Sequence, residues 1–213
     1  SLRQLIEDGR VLSAYRRAVE HGPLEAWDGV GGRVTAGRLL RHVGSSDAGR
    51  RQFLRAYRWH PEDAESRFHL LLAELELRGP LQAWARLRRF GLPSAVETEL
   101  ERDTCTLAGR LLSLLRDFAG AEEWYRRAGV PVMAGAWRWS EWCHHLVRMD
   151  RYGEALEWGR AALERQPQAP WLVRVVAHAE MLMGQEEAAL ARLGTAARAG
   201  ESAGVAHDWG MAA

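Results

Sequence analysis

The sequence predicts an all-α protein, a right-handed superhelical solenoid of antiparallel helix pairs with about five full repeats and partial ends. The first observation is that pairs of alanines recur with a period of about 34 residues, a length typical of helix-turn-helix repeats. These pairs are Ala121 with Ala128, Ala155 with Ala162, and Ala189 with Ala196. The second is an abundance of Leu, Ala, Arg and Glu, which favour helices, beside few β-branched residues. The third is that glycine, aspartate and proline fall between amphipathic segments.

Five units of this length fit the register, and shorter segments remain at both ends. The predicted repeats are 30–63, 64–97, 102–135, 136–169 and 170–203. Residues 1–29 are predicted as an N-terminal helical half-repeat or cap, and 204–213 as the start of a further, truncated helix. Repeats of this length bury their apolar faces only by stacking on neighbours, so the apolar ending predicts a longer native protein.

One unit carries its turn and packing residues in a recognisable order. Asp150 marks the turn, Tyr152 and Ala155 begin the second helix, Ala162 follows seven residues later, and Pro167 closes the unit. The first helix of the unit carries Trp139, Trp142, Cys143 and Leu146 at helical spacing. This order resembles the tetratricopeptide repeat (TPR) family. The resemblance implies a non-catalytic protein–protein interaction or scaffold module, whose first helices line a concave groove.

Three positions depart from the repeat pattern. Gly49 stands where the pattern has alanine, and Phe90 replaces the second alanine of its unit. Glu180 occupies a position that is usually aromatic or leucine.

A second resemblance concerns the protein from which the chain comes. Residues 22–27 and 79–84 repeat the phrase Gly-Pro-Leu-x-Ala-Trp, and residues 60–65 read His-Pro-Glu-Asp-Ala-Glu. These phrases resemble the N-terminal TPR region of large bacterial proteins with a downstream papain-like cysteine peptidase domain. The alternative function is therefore a structural arm of a multidomain enzyme with no ligand of its own. The chain has no Cys/His peptidase signature, so we predict that it is not itself an enzyme.

Composition narrows the chemistry further. The 213 residues include 29 basic and 28 acidic side chains, so no bulk charge favours nucleic acid or a membrane. All of these basic residues are arginine, and both lysine and asparagine are absent, which is typical of a GC-rich bacterial genome. Schiff-base and P-loop lysines are thereby excluded. Two cysteines form neither a disulfide framework nor a zinc site, so a cytoplasmic location is the default.

Three features look like reactive or ligand-binding sites and are better explained as structure. The Trp-, Cys- and His-rich residues 137–145 lie on one helix, where neighbours point about 100° apart, so Cys143 is predicted to be buried packing. His144 and His178 are one repeat apart, which stacking places about 10 Å apart, too far to share a metal. No metal or other cofactor is predicted. The glycine-rich residues 29–34 are predicted as a turn between helices.

The remaining candidate is a groove lined by basic and aromatic side chains of the first helices. Its predicted residues are Arg38, Arg41, His69, Arg110, Trp137, His144, Arg148, Trp171, Arg174 and His178. Such a surface suits a protein or peptide partner with acidic groups, bound through charge-assisted hydrogen bonds and stacking. Nucleic acid and membrane partners are not expected, whereas a downstream domain of the same chain is. Solvated residues on a scaffold face remain the alternative interpretation.

Overall fold

The computed structural model describes residues 1–7, 10–130, 132, 135–167, 169–199 and 211. Across these residues the regular structure is helical and contains no strand, which confirms the predicted all-α class. The segment 204–213, predicted to start a further helix, lies outside the described residues except for Met211.

The helices follow one another in consecutive pairs. Two short helices, α1 (Leu2–Glu7) and α2 (Val11–Val19), precede a 3-10 turn at Leu24–Ala26. The longer helices are α3 (Gly29–His42), α4 (Ser46–Trp59), α5 (Ala64–Arg78), α6 (Pro80–Phe90), α7 (Glu99–Leu114), α8 (Phe118–Arg127), α9 (Ala136–Arg148), α10 (Tyr152–Arg165), α11 (Pro170–Leu182) and α12 (Glu186–Ala199).

The chain divides into two compact units, Ser1–Thr104 (unit 1) and Cys105–Ala213 (unit 2). In unit 1, α3 packs on α4, α4 on α5 and α5 on α6, around apolar side chains that include Phe53 and Leu70. In unit 2, α9, α10, α11 and α12 pack in the same consecutive way. The first helices α3 and α5, like α9 and α11, also touch each other directly. First helices therefore form a continuous layer within each unit.

Small residues lie where paired helices come closest. A Cβ atom added to Gly49 in α4 would stand 2.8 Å from the carbonyl oxygen of Gly37 in α3. A Cβ atom on Gly109 in α7 would stand 3.1 Å from both the carbonyl oxygen of Ala121 and the ring of Tyr125 in α8. The glycine at position 49 is thereby explained, since α3 and α4 approach too closely for the alanine that the repeat pattern has there.

The glutamate in a packing position of α11 is held by arginines from both flanking helices. Glu180 is fully buried, and its carboxylate accepts hydrogen bonds from Arg160 of α10 at 3.2 Å and Arg192 of α12 at 2.7 Å. In unit 1 the buried carboxylate of Glu74 is surrounded in the same way by Arg50 of α4, Arg78 of α5 and Arg86 of α6. A carboxylate tolerates burial when it is paired and hydrogen-bonded in this manner.

The glycine-rich residues 29–34 are helical, so their prediction as a turn is wrong. They form the first turns of α3, which begins directly after Asp28. Arg33 pairs with Asp28 across the start of the helix, and the Thr35 hydroxyl donates to the carbonyl oxygen of Gly31 at 2.8 Å. Packing of the buried α3 face outweighs the low helix propensity of glycine, because propensity is a weak preference that tertiary contacts override.

Helix α7 begins at Glu99, before residue 102 where the repeat register starts. The amide N–H of Glu101 donates to the Thr98 hydroxyl at 3.2 Å, and the Glu101 carboxylate accepts from the amide N–H of Thr98 at 2.8 Å. This reciprocal pair is a capping box, and the Thr-x-x-Glu spacing that encodes it is visible in the sequence.

Replacing Ala155 by tryptophan tests the packing of the second helices. Ala155 is buried in the core that joins α9 to α12, so the indole of Ala155→Trp has no space, and overpacking costs roughly 1–3 kcal/mol or more. We expect a clear fall in the free energy of unfolding measured in urea. The matched control is Ala188→Trp at an exposed position of α12, and equal stability of the two variants would contradict this packing.

Candidate functional site

The structure divides the predicted groove residues between the two units. Unit 1 holds Arg38, Arg41 and His69, on α3 and α5. Unit 2 holds Arg110, Trp137, His144, Arg148, Trp171, Arg174 and His178, on α7, α9 and α11. Every one of these residues belongs to the first helix of a pair, and the larger group defines the candidate site.

Three basic residues of unit 2 occupy equivalent places on successive first helices. Arg110, His144 and His178 are each one repeat apart and lie on α7, α9 and α11 in turn. We call this set the basic ladder. Helices α9 and α11 are in direct contact, and α7 is linked to α9 by the Arg110–Glu141 ion pair at 2.7 Å. Because these three residues recur once per repeat, they form a row across one face of the successive first helices.

His144 is the centre of the site. Burial lowers the pKa of His144 to about 3, and the basic side chains of Arg148, Arg110, His178 and Arg174 act in the same direction. These neighbours come from α7, α9 and α11, so the three helices converge on one imidazole. The Nδ1 atom of His144 is buried and has no hydrogen-bond partner. At neutral pH the ring is therefore uncharged beside the three arginines.

An acidic residue that was not predicted from the sequence also lies on this face. Glu141 is buried, and its Oε1 atom accepts a hydrogen bond from Arg110 at 2.7 Å. Burial raises the pKa of Glu141, although Arg110 and Arg148 oppose that shift. The sequence could have indicated this residue, because Glu141 lies one helical turn before His144, the member of the basic ladder on α9.

Arg148 is anchored from α7. Its guanidinium lies 3.4 Å from the Ser113 hydroxyl, and burial lowers its pKa. The indoles of Trp137 and Trp171, both partly buried, lie near the start of α9 and α11. The site thus combines fixed arginines, the uncharged ring of His144 and two aromatic side chains.

His144 and His145 are adjacent on α9 but have different surroundings. The His145 ring is fully buried against Tyr125 and Trp142, with centroid distances of 5.2 and 5.4 Å, and its Nδ1 atom lies 3.0 Å from the Ser113 hydroxyl. Cys143 is buried as well, and burial raises the pKa of its thiol to about 12. A thiol that stays protonated is a poor nucleophile, so these residues act in packing.

Unit 1 holds a smaller basic cluster. The His69 ring stacks on Phe53 at a centroid distance of 5.4 Å, and burial is the main cause that lowers its pKa well below the ordinary value. Arg38, Arg41 and His42 act in the same direction. Arg41 also lies 3.4 Å from Glu76, so this cluster carries a counter-charge at its edge.

The described part of the chain shows neither a metal-binding cluster nor a membrane-spanning helix. No group of three or more His, Cys, Asp or Glu side chains there is arranged to hold a metal ion. No helix there has the length and apolar character needed to cross a membrane.

Comparison with solved structures identifies the fold. A tetratricopeptide repeat protein from Parabacteroides merdae superposes with a TM-score of 0.56 at 13% identity, covering 91% of this chain and 75% of that one. A thermophilic TPR protein from Thermus thermophilus superposes with a TM-score of 0.65 at 17% identity, covering 86% and 98%. No family model matches the sequence, and no curated protein is significantly similar to it. The chain therefore has the TPR fold, as predicted.

Protonation of His145 provides a stability test. Burial lowers its pKa to about 4, while Glu122 opposes the shift, so below pH 6.5 the unfolded chain takes up the proton first. The free energy of unfolding must then fall as pH drops from 6.5 toward 4, by up to about 1.4 kcal/mol per pH unit for this residue.

In His145→Gln we expect a shallower dependence of unfolding free energy on pH over that range, measured by urea titration at each pH. The control is His21→Gln at an exposed position, which should keep the parent slope. A parent slope in His145→Gln would show that the ring does not resist protonation.

Proposed function

We propose that the chain is a non-catalytic scaffold module that binds an acidic peptide, or an acidic segment of a partner protein, on the face of α7, α9 and α11. The partner lies across the basic ladder, beside Arg148 and Arg174. In this proposal the chain is part of a longer, cytoplasmic bacterial protein whose other domains act on what the module holds.

The observation that supports this proposal is the convergence of four basic side chains on His144. Glu141 supplies a buried carboxylate on this face, and it is already paired with Arg110. A carboxylate ligand would offset the repulsion between Arg148 and Arg110 on this face. Charge-assisted contacts of this kind are roughly twice as strong as neutral hydrogen bonds.

The TPR fold supports the same assignment in a more general way. Stacked helix pairs expose their first helices as one extended surface, which suits elongated ligands. The competing function, a structural arm without a ligand, needs no convergence of basic groups and predicts that this face binds nothing.

Charge reversal at two exposed positions of α11 tests the proposal. Arg174→Glu with His178→Glu changes the charge of the face at two exposed side chains. Arg110→Glu is less suitable, since it would place a second carboxylate against buried Glu141. We expect the double variant to bind a fluorescein-labelled glutamate-rich peptide at least about tenfold more weakly in fluorescence anisotropy, the equivalent of losing one charge-assisted contact.

The matched control is Arg126→Glu with Arg198→Glu, two exposed arginines on the second helices α8 and α12. It places the same two glutamates on other faces of the unit, so weaker binding in both double variants would indicate non-specific attraction. If the unaltered chain does not bind the peptide at low ionic strength, the structural-arm function stands instead.

A further inference from the structure

The basic ladder has a definite spacing. Its members occupy equivalent positions of successive first helices: α9 packs on α11, and α7 is joined to α9 by the Arg110–Glu141 ion pair. Packed helix axes lie about 8–10 Å apart. The side chains of Arg110, His144 and His178 therefore repeat at about that interval across the face. A ligand that contacts all three must present its acidic groups at the same interval.

We propose that the ladder recognises an acidic segment in the polyproline II conformation, with an acidic side chain at every third residue. This inference rests on the proposed function. A polyproline II helix has three residues per turn and rises about 3.1 Å per residue, so every third side chain returns to one face after about 9.3 Å. That repeat matches the spacing of the packed first helices.

Other backbone conformations fit less well. In an extended strand, side chains of one face recur about every 6.6 Å, so acidic groups at alternate residues fall between the ladder positions. In an α-helix the matching interval is about seven residues, roughly 10.5 Å, and the ligand is then a cylinder about 10–12 Å wide. Each ligand conformation therefore requires a different number of residues between successive acidic side chains. This number can be varied in synthetic peptides.

A second periodic feature runs beside the ladder. Trp137 and Trp171 are also one repeat apart, and each precedes a ladder histidine by two helical turns, on a similar side of its helix. Aromatic side chains are the usual platforms for polyproline II segments, because proline rings pack flat against them. We therefore expect proline among the residues between the acidic ones.

Proton uptake is expected at His144 when the ligand binds. The charged and titratable groups facing His144 are Arg110 from α7, Arg148 and Glu141 from α9, and Arg174 and His178 from α11. A ligand carboxylate at His144 would counter the burial and repulsion that keep its pKa at about 3. If the bound ring regains an ordinary pKa of about 6.5, affinity should rise roughly tenfold between pH 7.5 and 5.5.

The experiment uses the full chain and three synthetic peptides of equal length and composition. Each contains three glutamates in a background of proline and serine, placed at every second, every third or every seventh residue. Dissociation constants are measured by isothermal titration calorimetry at pH 7.5 and 5.5. We expect the every-third peptide to bind at least about tenfold more tightly than the others, and more tightly at pH 5.5.

Two variants of the chain test whether the basic ladder causes the preference for the every-third peptide. His178→Gln removes one ladder position and should reduce the advantage of the every-third peptide, while His21→Gln at an exposed position of unit 1 should preserve it. Equal affinity for all three peptides would overturn the ladder while leaving acidic-peptide binding intact. Preference for the every-second or the every-seventh peptide would also overturn it, because in a polyproline II segment neither spacing brings the glutamates to one face at the ladder interval. Failure of every peptide to bind would overturn the proposed function as well.

Discussion

The close approach of paired helices is the constraint on which this structure depends. Gly49 faces the backbone of Gly37, and Gly109 faces that of Ala121, at distances that leave no room for larger side chains. Such contacts hold each pair in one geometry, so successive pairs repeat it and equivalent residues align. A residue type that recurs once per repeat thereby becomes a row across several helices, which no single helix of the chain can provide.

Arginine serves two purposes in this lysine-free chain. In the interior, guanidinium groups from flanking helices pair with the buried carboxylates of Glu74 and Glu180. On the face of unit 2, Arg110 is fixed by Glu141 and Arg148 by Ser113. The planar guanidinium donates in several directions at once, so one side can be held by the protein while another faces a ligand. The same property that makes burial of charge tolerable would also position charge for the proposed ligand.

The candidate site contains arginines that are always charged and a histidine, His144, whose charge depends on its surroundings. Its arginines are charged at any ordinary pH, whereas His144 is kept neutral by burial and by its basic neighbours. An anionic ligand changes that balance, because it removes the repulsion that opposes protonation. In the proposed complex, recognition of the ligand and proton uptake at His144 would occur together. Cys143, which lies beside His144 in sequence, is buried, and burial raises the pKa of its thiol.

Local patterns in the sequence were sufficient for the helical class, for the small residues at helix contacts and for the ladder spacing of His144 and His178. Each follows from residues on one helix or from a constant repeat, which are properties of the chain alone. The Thr-x-x-Glu spacing of the capping box at Thr98 and Glu101 is also visible in the sequence, although it was not used to predict where α7 begins. The tertiary structure alone decided that residues 29–34 are helical and that Glu141 pairs with Arg110. Both depend on burial and on partners distant in sequence, whose free energies outweigh the local preferences of glycine and glutamate.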